Sequence, residues 1–262
     1  MANNDTIKKT LLVTITLSLV CSVLVSGAAV ALKSRQNENK VLDVQQNILA
    51  ISGLVADPKA LSRQEIQEEF SKITPKLVDL ETGKFDTKLD VDTFNQQAAS
   101  KDPAMSNALP ADQDKALIKR LEKTAKIYVV EKDGKLETVI LPVRGYGLWS
   151  TLYGFLALES DLNTVAGFGF YQHAETPGLG GEVDNPRWKG LWIGKEVFDD
   201  KGNIDITVVK GAVDPSASDA KHKVDGLSGA TLTSRGVDNL VKFWLGKNGF
   251  GPFLNNLKKG EA

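Results

Sequence analysis

The sequence predicts an α+β protein in which one N-terminal transmembrane helix precedes a mainly antiparallel sheet with flanking helices. Three observations support this fold class. Residues 11–32 form an uncharged apolar run, Asp133-Gly134 separates two strand-like segments, and residues 237–245 have the apolar spacing of an amphipathic helix. Hairpins followed by terminal helices are typical of α+β domains.

The composition restricts the class of function. The 262 residues are 42% hydrophobic and 25% charged, which is typical of a folded protein. The chain has 32 Lys and Arg residues and 33 Asp and Glu residues, so its net charge is −1. No overall basic field therefore exists to attract nucleic acid. One cysteine excludes an internal disulfide, and two histidines argue against a His-rich metal site. We therefore expect no nucleic-acid partner and no bound metal.

The apolar run from Leu11 to Leu32 predicts a membrane-spanning helix. It contains 22 residues without a charge, and a helix needs about 20 to cross the hydrocarbon core. A cleaved signal peptide is the alternative, because Lys8 and Lys9 precede the run and Ala29-Val30-Ala31 resembles a cleavage site. The run exceeds the usual apolar core of about 7–15 residues in such peptides, so we favour a retained single-pass helix. Basic residues flank both ends of the helix, so charge leaves its orientation undecided.

The segment that follows the membrane helix contains further helix signals. Apolar residues recur at helical spacing over 41–55, which predicts an amphipathic helix. A capping box at 62–65 begins a second helix, which Thr74-Pro75 closes. Residues 79–110 are polar without a period and predict a loop-rich stretch, after which a third helix is expected at 112–124.

The sheet is predicted from a series of strand segments. Asp133-Gly134 is a strong two-residue hairpin signal between the first two of them. In the fourth, Gly167 and Gly169 share one face, which leaves room for a ligand to approach the sheet or for a local bend or bulge. Both interpretations stay open. The predicted strands are 125–132, 135–144, 153–159, 164–171 and 204–209.

An amphipathic helix ends the pattern. Apolar residues from Val237 to Leu245 follow the i, i+3, i+4, i+7 spacing, and Gly246 is a natural stop. The elements divide the chain into a short tail at 1–10, the transmembrane helix at 11–32, juxtamembrane helices and an insertion packed on the domain at 33–124, and an α+β domain at 125–262.

Small hydroxylic residues and glycines form a first candidate site at 225–234, directly before the terminal helix. Such a turn points backbone N–H groups at one spot, and the helix dipole favours an anion such as phosphate there. The alternative is a helix cap, in which Thr233 or Ser234 accepts hydrogen bonds from the first helical amides. A nucleophile elbow at Ser228 is disfavoured, because the motif requires a buried strand before it and Lys221 to Asp225 is polar.

The segment from His173 to Gly181 is a second candidate site. Pro177-Gly178 predicts a tight turn, and the glycines after it allow backbone to approach a ligand. His173 and Glu175 are candidates for acid/base chemistry, whereas metal binding is disfavoured without further ligands nearby. The alternative is a polar loop in which Glu175 accepts backbone hydrogen bonds.

The two segments together resemble a known family. Asp225-x-x-Ser228-Gly229-Ala230-Thr231 resembles the flavinylation motif of FMN-binding domains, in which FMN is joined to the last threonine through a phosphoester bond. His173 to Gly181, followed by 182–188, is similar to the segment found in the C subunits of the sodium-translocating NADH:quinone reductases. The resemblance extends along the whole chain.

The resemblance implies roles for individual residues. Thr231 would accept covalent FMN, which a separate flavin transferase installs from FAD, and Ser228, Gly229 and Ala230 would shape the turn around the phosphate. No catalytic residue is implied beyond the flavin. The residues implied to lie along the isoalloxazine ring are Glu175, Thr176, Pro177, Gly178, Leu179 and Gly180, with Trp149 and Lys210 as further neighbours.

The function implied by the resemblance is that of a membrane-anchored electron-transfer subunit of the sodium pump. Its partners would be the other subunits and membrane lipid, with the domain on the periplasmic side of the bacterial inner membrane. The homologous G subunit of the ferredoxin-linked electron-transport complex shares the motif, but the insertion at 62–111 and the 182–188 segment favour the C subunit of the sodium pump. An anchored binding protein without flavin and a secreted hydrolase using Ser228 are alternatives of other classes.

Overall fold

The computed structural model describes residues 6–262. The α-helices are α1 (Ile7–Ser52), α2 (Arg63–Phe70), α3 (Gln96–Ala99), α4 (Pro186–Gly190), α5 (Thr231–Leu245) and α6 (Gly251–Lys259). The strands are β1 (Ile73–Asp79), β2 (Lys84–Phe85), β3 (Ser106–Ala108), β4 (Arg120–Glu122), β5 (Thr124–Lys132), β6 (Lys135–Tyr146), β7 (Thr151–Glu159), β8 (Val165–Gln172), β9 (Thr207–Val208) and β10 (Lys223–Val224). Short 3-10 turns lie at Pro58–Ala60, Gly180–Asp184 and Ala220–His222.

The helix α1 begins the described part of the chain, and the boundary between two compact units falls inside it, between Val44 and Gln45. It is long and apolar enough to cross a membrane. The helix expected at 41–55 is the last part of α1, which ends at Ser52 and is followed by Gly53 at φ 75°. Residues 1–5 of the predicted tail at 1–10 lie outside the described residues, and residues 7–10 are already part of α1.

The predicted mainly antiparallel sheet is confirmed. Six strands hydrogen-bond in the order β2-β1-β5-β6-β7-β8, and each neighbouring pair is antiparallel. Asp133 and Gly134 form the hairpin turn between β5 and β6 with φ of 53° and 73°, the left-handed conformation that a two-residue turn of this type requires. The strand expected at 204–209 is shorter, since only Thr207–Val208 forms β9, which pairs in parallel with β10.

The second predicted helix begins as expected but ends earlier. Ser62 Oγ accepts a hydrogen bond from the Glu65 amide, and the Glu65 carboxylate accepts one from the Ser62 amide, which completes the capping box. The helix stops at Phe70, and Ile73–Asp79 is a strand of the sheet rather than the end of a helix. Pairing with β5 along all seven residues explains this difference, because it overrides the local helix pattern.

The helix expected at 112–124 is wrong. Leu117 and Lys119 have φ of 54° and 64°, a conformation that no α-helix contains. The Asp114 carboxylate accepts hydrogen bonds from the amides of Ile118 and Lys119, so the side chain takes donors that a helix would use internally. The segment instead leads into β4, which pairs with β3.

The terminal helix packs on the sheet as its stripe predicts. The five apolar residues of that stripe, Val237, Leu240, Val241, Trp244 and Leu245, are buried. The Trp244 indole N–H donates a hydrogen bond to the Arg144 carbonyl of β6 at 2.7 Å. This packing places the first turn of α5 beside the loop that joins β6 to β7, and it thereby positions the site.

The glycine face of β8 is covered by the protein itself. A Cβ atom at Gly167 would lie 2.4 Å from the Ile51 carbonyl oxygen. The group that approaches the sheet closely at Gly167 is therefore the last turn of α1, not a ligand. The pairing of β7 with β8 also shifts register between Ala157 and Leu158, opposite this position, as the bulge interpretation expects. The absence of a side chain at Gly167 therefore allows the last turn of α1 to pack on β8.

Gly167→Ala is expected to destabilise the domain, because the added methyl group meets backbone atoms that cannot move independently. Overpacking of this kind costs about 1–3 kcal/mol in the free energy of unfolding, measurable by urea denaturation. Gly169→Ala is the matched control in the same strand, since its Cβ atom would have no neighbour closer than 3.6 Å. Equal stability of the two variants would contradict the close approach of α1.

Candidate functional site

Three segments that are distant in sequence meet at the start of α5. They are the β6–β7 loop at 147–150, the segment at 173–181 after β8, and the turn at 225–230. The Leu179 side chain lies 3.2 Å from the position of a Cβ atom at Gly229, and a Cβ atom at Gly236 would lie 2.5 Å from the Tyr146 carbonyl oxygen. The two segments that the sequence singled out are therefore neighbours in the fold.

The first turn of α5 has no side-chain cap within residues 6–262. The helix begins at Thr231, which is exposed, and its N-cap residue Ala230 makes no side-chain hydrogen bond. The interpretation of Thr233 or Ser234 as the cap is wrong, because Thr233 Oγ1 donates to Glu175 Oε2 at 2.9 Å and Ser234 Oγ donates to the Ala230 carbonyl. The amides at the start of α5 are therefore left for an acceptor from outside the helix, such as water or a ligand.

The turn before α5 is held rigidly by hydrogen bonds from neighbouring segments. The Leu227 amide donates to Ser234 Oγ at 2.9 Å, and the Trp188 indole N–H donates to the Asp225 carbonyl at 2.9 Å. The Asp225 carboxylate accepts a hydrogen bond from the Val213 amide at 2.8 Å. Gly229 has φ 73°, the conformation that glycine adopts without strain. Thr231, which follows this turn directly, is exposed.

A cavity of about 220 Å³ lies beside Thr231. Two of its lining side chains, Lys210 and Arg235, are cations, and Arg235 is one helical turn after Thr231. The one lining carboxylate, Asp238, already accepts a hydrogen bond from the Val208 amide and pairs with Lys242 at 3.0 Å. The lining residues are Val208, Val209, Lys210, Gly211, Gly226, Leu227, Thr231, Ser234, Arg235 and Asp238.

This donor set fits a phosphate group. A helix N-terminus and two cations favour an anion, and the exposed residue Thr231 lines the same cavity. Lys210 is among the residues that the resemblance implied, whereas Arg235 was not predicted. The signal that would have found Arg235 is its i+4 spacing from Thr231 on a predicted helix.

Apolar side chains are exposed around the site. Trp149 is 66% exposed, Leu232 52% and Leu179 46%. Thr176, Pro177 and Gly178 are also exposed, as are Ser228 and Gly229. Exposed apolar surface beside a cluster of polar donors is typical of a binding site for a flat, partly apolar ligand.

Glu175 and Gly180, in contrast, are buried beneath this surface. The Glu175 carboxylate accepts hydrogen bonds from the amides of Leu148, Trp149 and Ser150 at 3.0 to 3.2 Å. Burial raises the pKa of Glu175, but the hydrogen bonds from Trp149, Thr233, Leu148 and Ser150 outweigh it, and the net pKa is lowered. The interpretation of Glu175 as an acceptor of backbone hydrogen bonds is confirmed.

The hydrogen-bond partners that the structure gives the two histidines do not include Thr231 or Ser228. His173 Nε2 lies 2.8 Å from Asp184 Oδ2, and His173 Nδ1 accepts a hydrogen bond from the Glu175 amide. His222 is buried, with Nδ1 2.8 Å from the Glu196 carbonyl. This arrangement disfavours a hydrolase that uses Ser228.

Among residues 6–262, no group of three or more His, Cys, Asp or Glu side chains is placed to hold a metal ion.

The chain is similar to proteins of known name. Residues 147–246 match the model of the FMN-binding domain family. The C subunit of the Na(+)-translocating NADH-quinone reductase from Pseudomonas aeruginosa is 60% identical over 263 residues, which covers 100% of both chains. The protein of the same name from Yersinia pestis is 51% identical and covers 98% of this chain and 96% of its own.

Solved structures have the same fold. The crystal structure of NqrC from Shewanella oneidensis superposes with a TM-score of 0.74 at 39% sequence identity and covers 82% of this chain and 96% of its own. The crystal structure of the C subunit of Na(+)-translocating NADH-quinone reductase from Parabacteroides distasonis superposes with a TM-score of 0.64 at 29% identity. It covers 85% of this chain and 96% of its own.

Proposed function

Because the chain belongs to the family of the C subunits of the Na(+)-translocating NADH-quinone reductases, we propose that it is a membrane-anchored electron-transfer subunit that carries FMN covalently on Thr231. The observation that supports this proposal best is the exposed Thr231, which lines a cavity with two cations at a helix start without a side-chain cap. When bound, FMN supplies the electron-transfer chemistry, and the protein supplies binding and orientation.

The phosphate of the flavin would be held by this chain's own donors. The amides of the first turn of α5 and the side chains of Lys210 and Arg235 would offset its charge. Ser228, Gly229 and Ala230 would keep the turn open around it. In maturation by a flavin transferase, Thr231 Oγ1 would bond to the FMN phosphorus of FAD, the pyrophosphate P–O bond would break, and AMP would leave as the hydroxyl proton is released.

The ring would be bound by the surrounding loops. Thr176 to Gly180 and the exposed Trp149 offer flat apolar surface and backbone groups, which suit the faces and the polar edge of an isoalloxazine. Glu175 lies beneath them. A covalent tether keeps the flavin at this place through every redox cycle, because it removes the dissociation equilibrium. This arrangement suits an electron relay.

The membrane part of the proposal rests on α1. It would anchor the protein in the bacterial inner membrane as a single pass, surrounded by lipid, with the domain on the periplasmic side. Its apolar stretch at 11–32 contains no charged residue, and charged residues inside the membrane are what typically mark an ion pathway. Sodium transport would therefore take place in the other subunits of the complex.

The experiment that tests the proposal is in-gel fluorescence of the denatured full-length protein, expressed with and without a flavin transferase and followed by peptide mass mapping. We expect a fluorescent band that depends on the transferase, with an FMN adduct on the peptide that contains Thr231. A dark band under both conditions would overturn the proposal, and an anchored binding protein without flavin would then be the better interpretation.

A further inference from the structure

The Glu175 carboxylate joins two parts of the site. Its Oε1 accepts hydrogen bonds from the Trp149 amide at 3.0 Å and from the Ser150 amide at 3.1 Å, and the Ser150 hydroxyl lies at 3.2 Å. Its Oε2 accepts a hydrogen bond from Thr233 Oγ1 at 2.9 Å, two residues after Thr231. The β6–β7 loop and the first turn of α5 are therefore connected through one side chain.

The protein encloses this carboxylate closely. Glu175 is 5% exposed. A Cβ atom at Gly147 would lie 2.7 Å from Oε1, and a Cβ atom at Gly180 would lie 2.7 Å from Oε2 and 2.5 Å from Thr233 Oγ1. A side chain at either glycine would therefore displace the carboxylate or its Thr233 partner, so both positions are matched to the carboxylate.

The arrangement of the donors around Glu175 depends on its negative charge as well as on the shape of its side chain. Its hydrogen-bond partners are neutral N–H and O–H donors, and no ion pair to it is present within residues 6–262. A carboxylate offers only acceptors to these converging donors, whereas a glutamine amide would place an N–H group against one set of them. The geometry of the loop therefore depends on the acid.

Trp149 is the residue whose main chain this carboxylate fixes. Its backbone amide is bound to Glu175, while its indole is 66% exposed. Tyr146 also donates a hydrogen bond from its hydroxyl to the Trp149 carbonyl at 3.3 Å. A large side chain that is exposed on a firmly held backbone is suited to contact with a bound group.

We propose that Glu175 is a positioning residue that holds Trp149 against the flavin carried on Thr231. This inference rests on the proposed function. Glu175 acts through the loop amides and does not need to touch the flavin. An indole in contact with a flavin quenches its fluorescence by electron donation to the excited ring, so the fluorescence yield of the native protein reports the position of Trp149.

The test compares the fluorescence yield of flavinylated full-length variants under native conditions. Trp149→Phe is expected to abolish the quenching, and Glu175→Gln is expected to lose most of it. The double variant is expected to match Trp149→Phe alone, because two residues that act through one contact are not additive. Glu182→Gln is the matched control and is expected to keep the wild-type yield. Glu182 lies on the neighbouring 3-10 turn, and its carboxylate accepts a hydrogen bond from the Asn185 side chain.

Two results separate the inference from the proposed function. If wild-type protein carries the adduct and Glu175→Gln fluoresces like wild type, the positioning role is overturned while the proposed function stands. If no adduct forms on wild-type protein, the proposed function itself fails. Should Glu175→Gln not fold, Thr233→Val removes one hydrogen bond to the same carboxylate. We expect Thr233→Val to lose part of the quenching and Thr233→Ser to restore it, and unchanged quenching in Thr233→Val would overturn the role.

Discussion

Thr231→Val is expected to abolish covalent flavin attachment and to leave the fold intact. Valine has the shape of threonine but no hydroxyl, so it cannot form the bond to phosphorus. Thr231 is exposed at the first position of α5, and surface substitutions usually change the free energy of unfolding by less than about 0.5 kcal/mol. The loss of flavin would therefore be chemical and not a consequence of unfolding.

The measurement is denaturing-gel fluorescence with mass mapping after expression with a flavin transferase, together with a thermal unfolding curve. Thr231→Ser is the matched control, because it restores a hydroxyl at the same backbone position and is expected to carry flavin. Flavin that resists denaturation in the valine variant would show that the acceptor is another residue. Ser228, exposed on the same turn, would be the first to map.

Arg144→Met is expected to destabilise the domain by about 3–5 kcal/mol, because it leaves a buried carboxylate without its cation. Arg144 of β6 forms an ion pair with Glu122, which is 1% exposed. The guanidinium also donates to the Arg120 carbonyl at 2.7 Å, and Gln96 donates to the second oxygen of Glu122 at 2.7 Å. This network attaches β4 and α3 to the central sheet.

Urea unfolding of single and double variants measures this effect. Arg144→Met combined with Glu122→Gln is expected to recover much of the lost stability, since the amide keeps an oxygen for Gln96 and removes the unpaired charge. A double variant no more stable than Arg144→Met would show that the loss comes from packing. Because Gly145 and Tyr146 follow Arg144 directly, the same strand also supports the loop that carries Trp149.

Strong local signals made part of the protein predictable from sequence. The apolar run at 11–32, the turn at Asp133-Gly134 and the stripe from Val237 to Leu245 each specify an element through residues that are neighbours in the chain. Backbone conformation at a two-residue turn and the period of an amphipathic helix depend on these neighbours alone. The motif that ends at Thr231 is equally local, and together with the segment at 173–181 it predicts the family to which the chain belongs.

Contacts between distant residues were decided only by the tertiary structure. Ile73 to Asp79 is a strand because β5 pairs with it, and Gly167 is small because Ile51 of α1 lies above it. The sequence could not show that the Glu175 carboxylate binds the amides at 148–150 and the Thr233 hydroxyl. The physical reason is that a carboxylate accepts hydrogen bonds from whichever donors the fold brings within about 3 Å, and those donors lie tens of residues away along the chain.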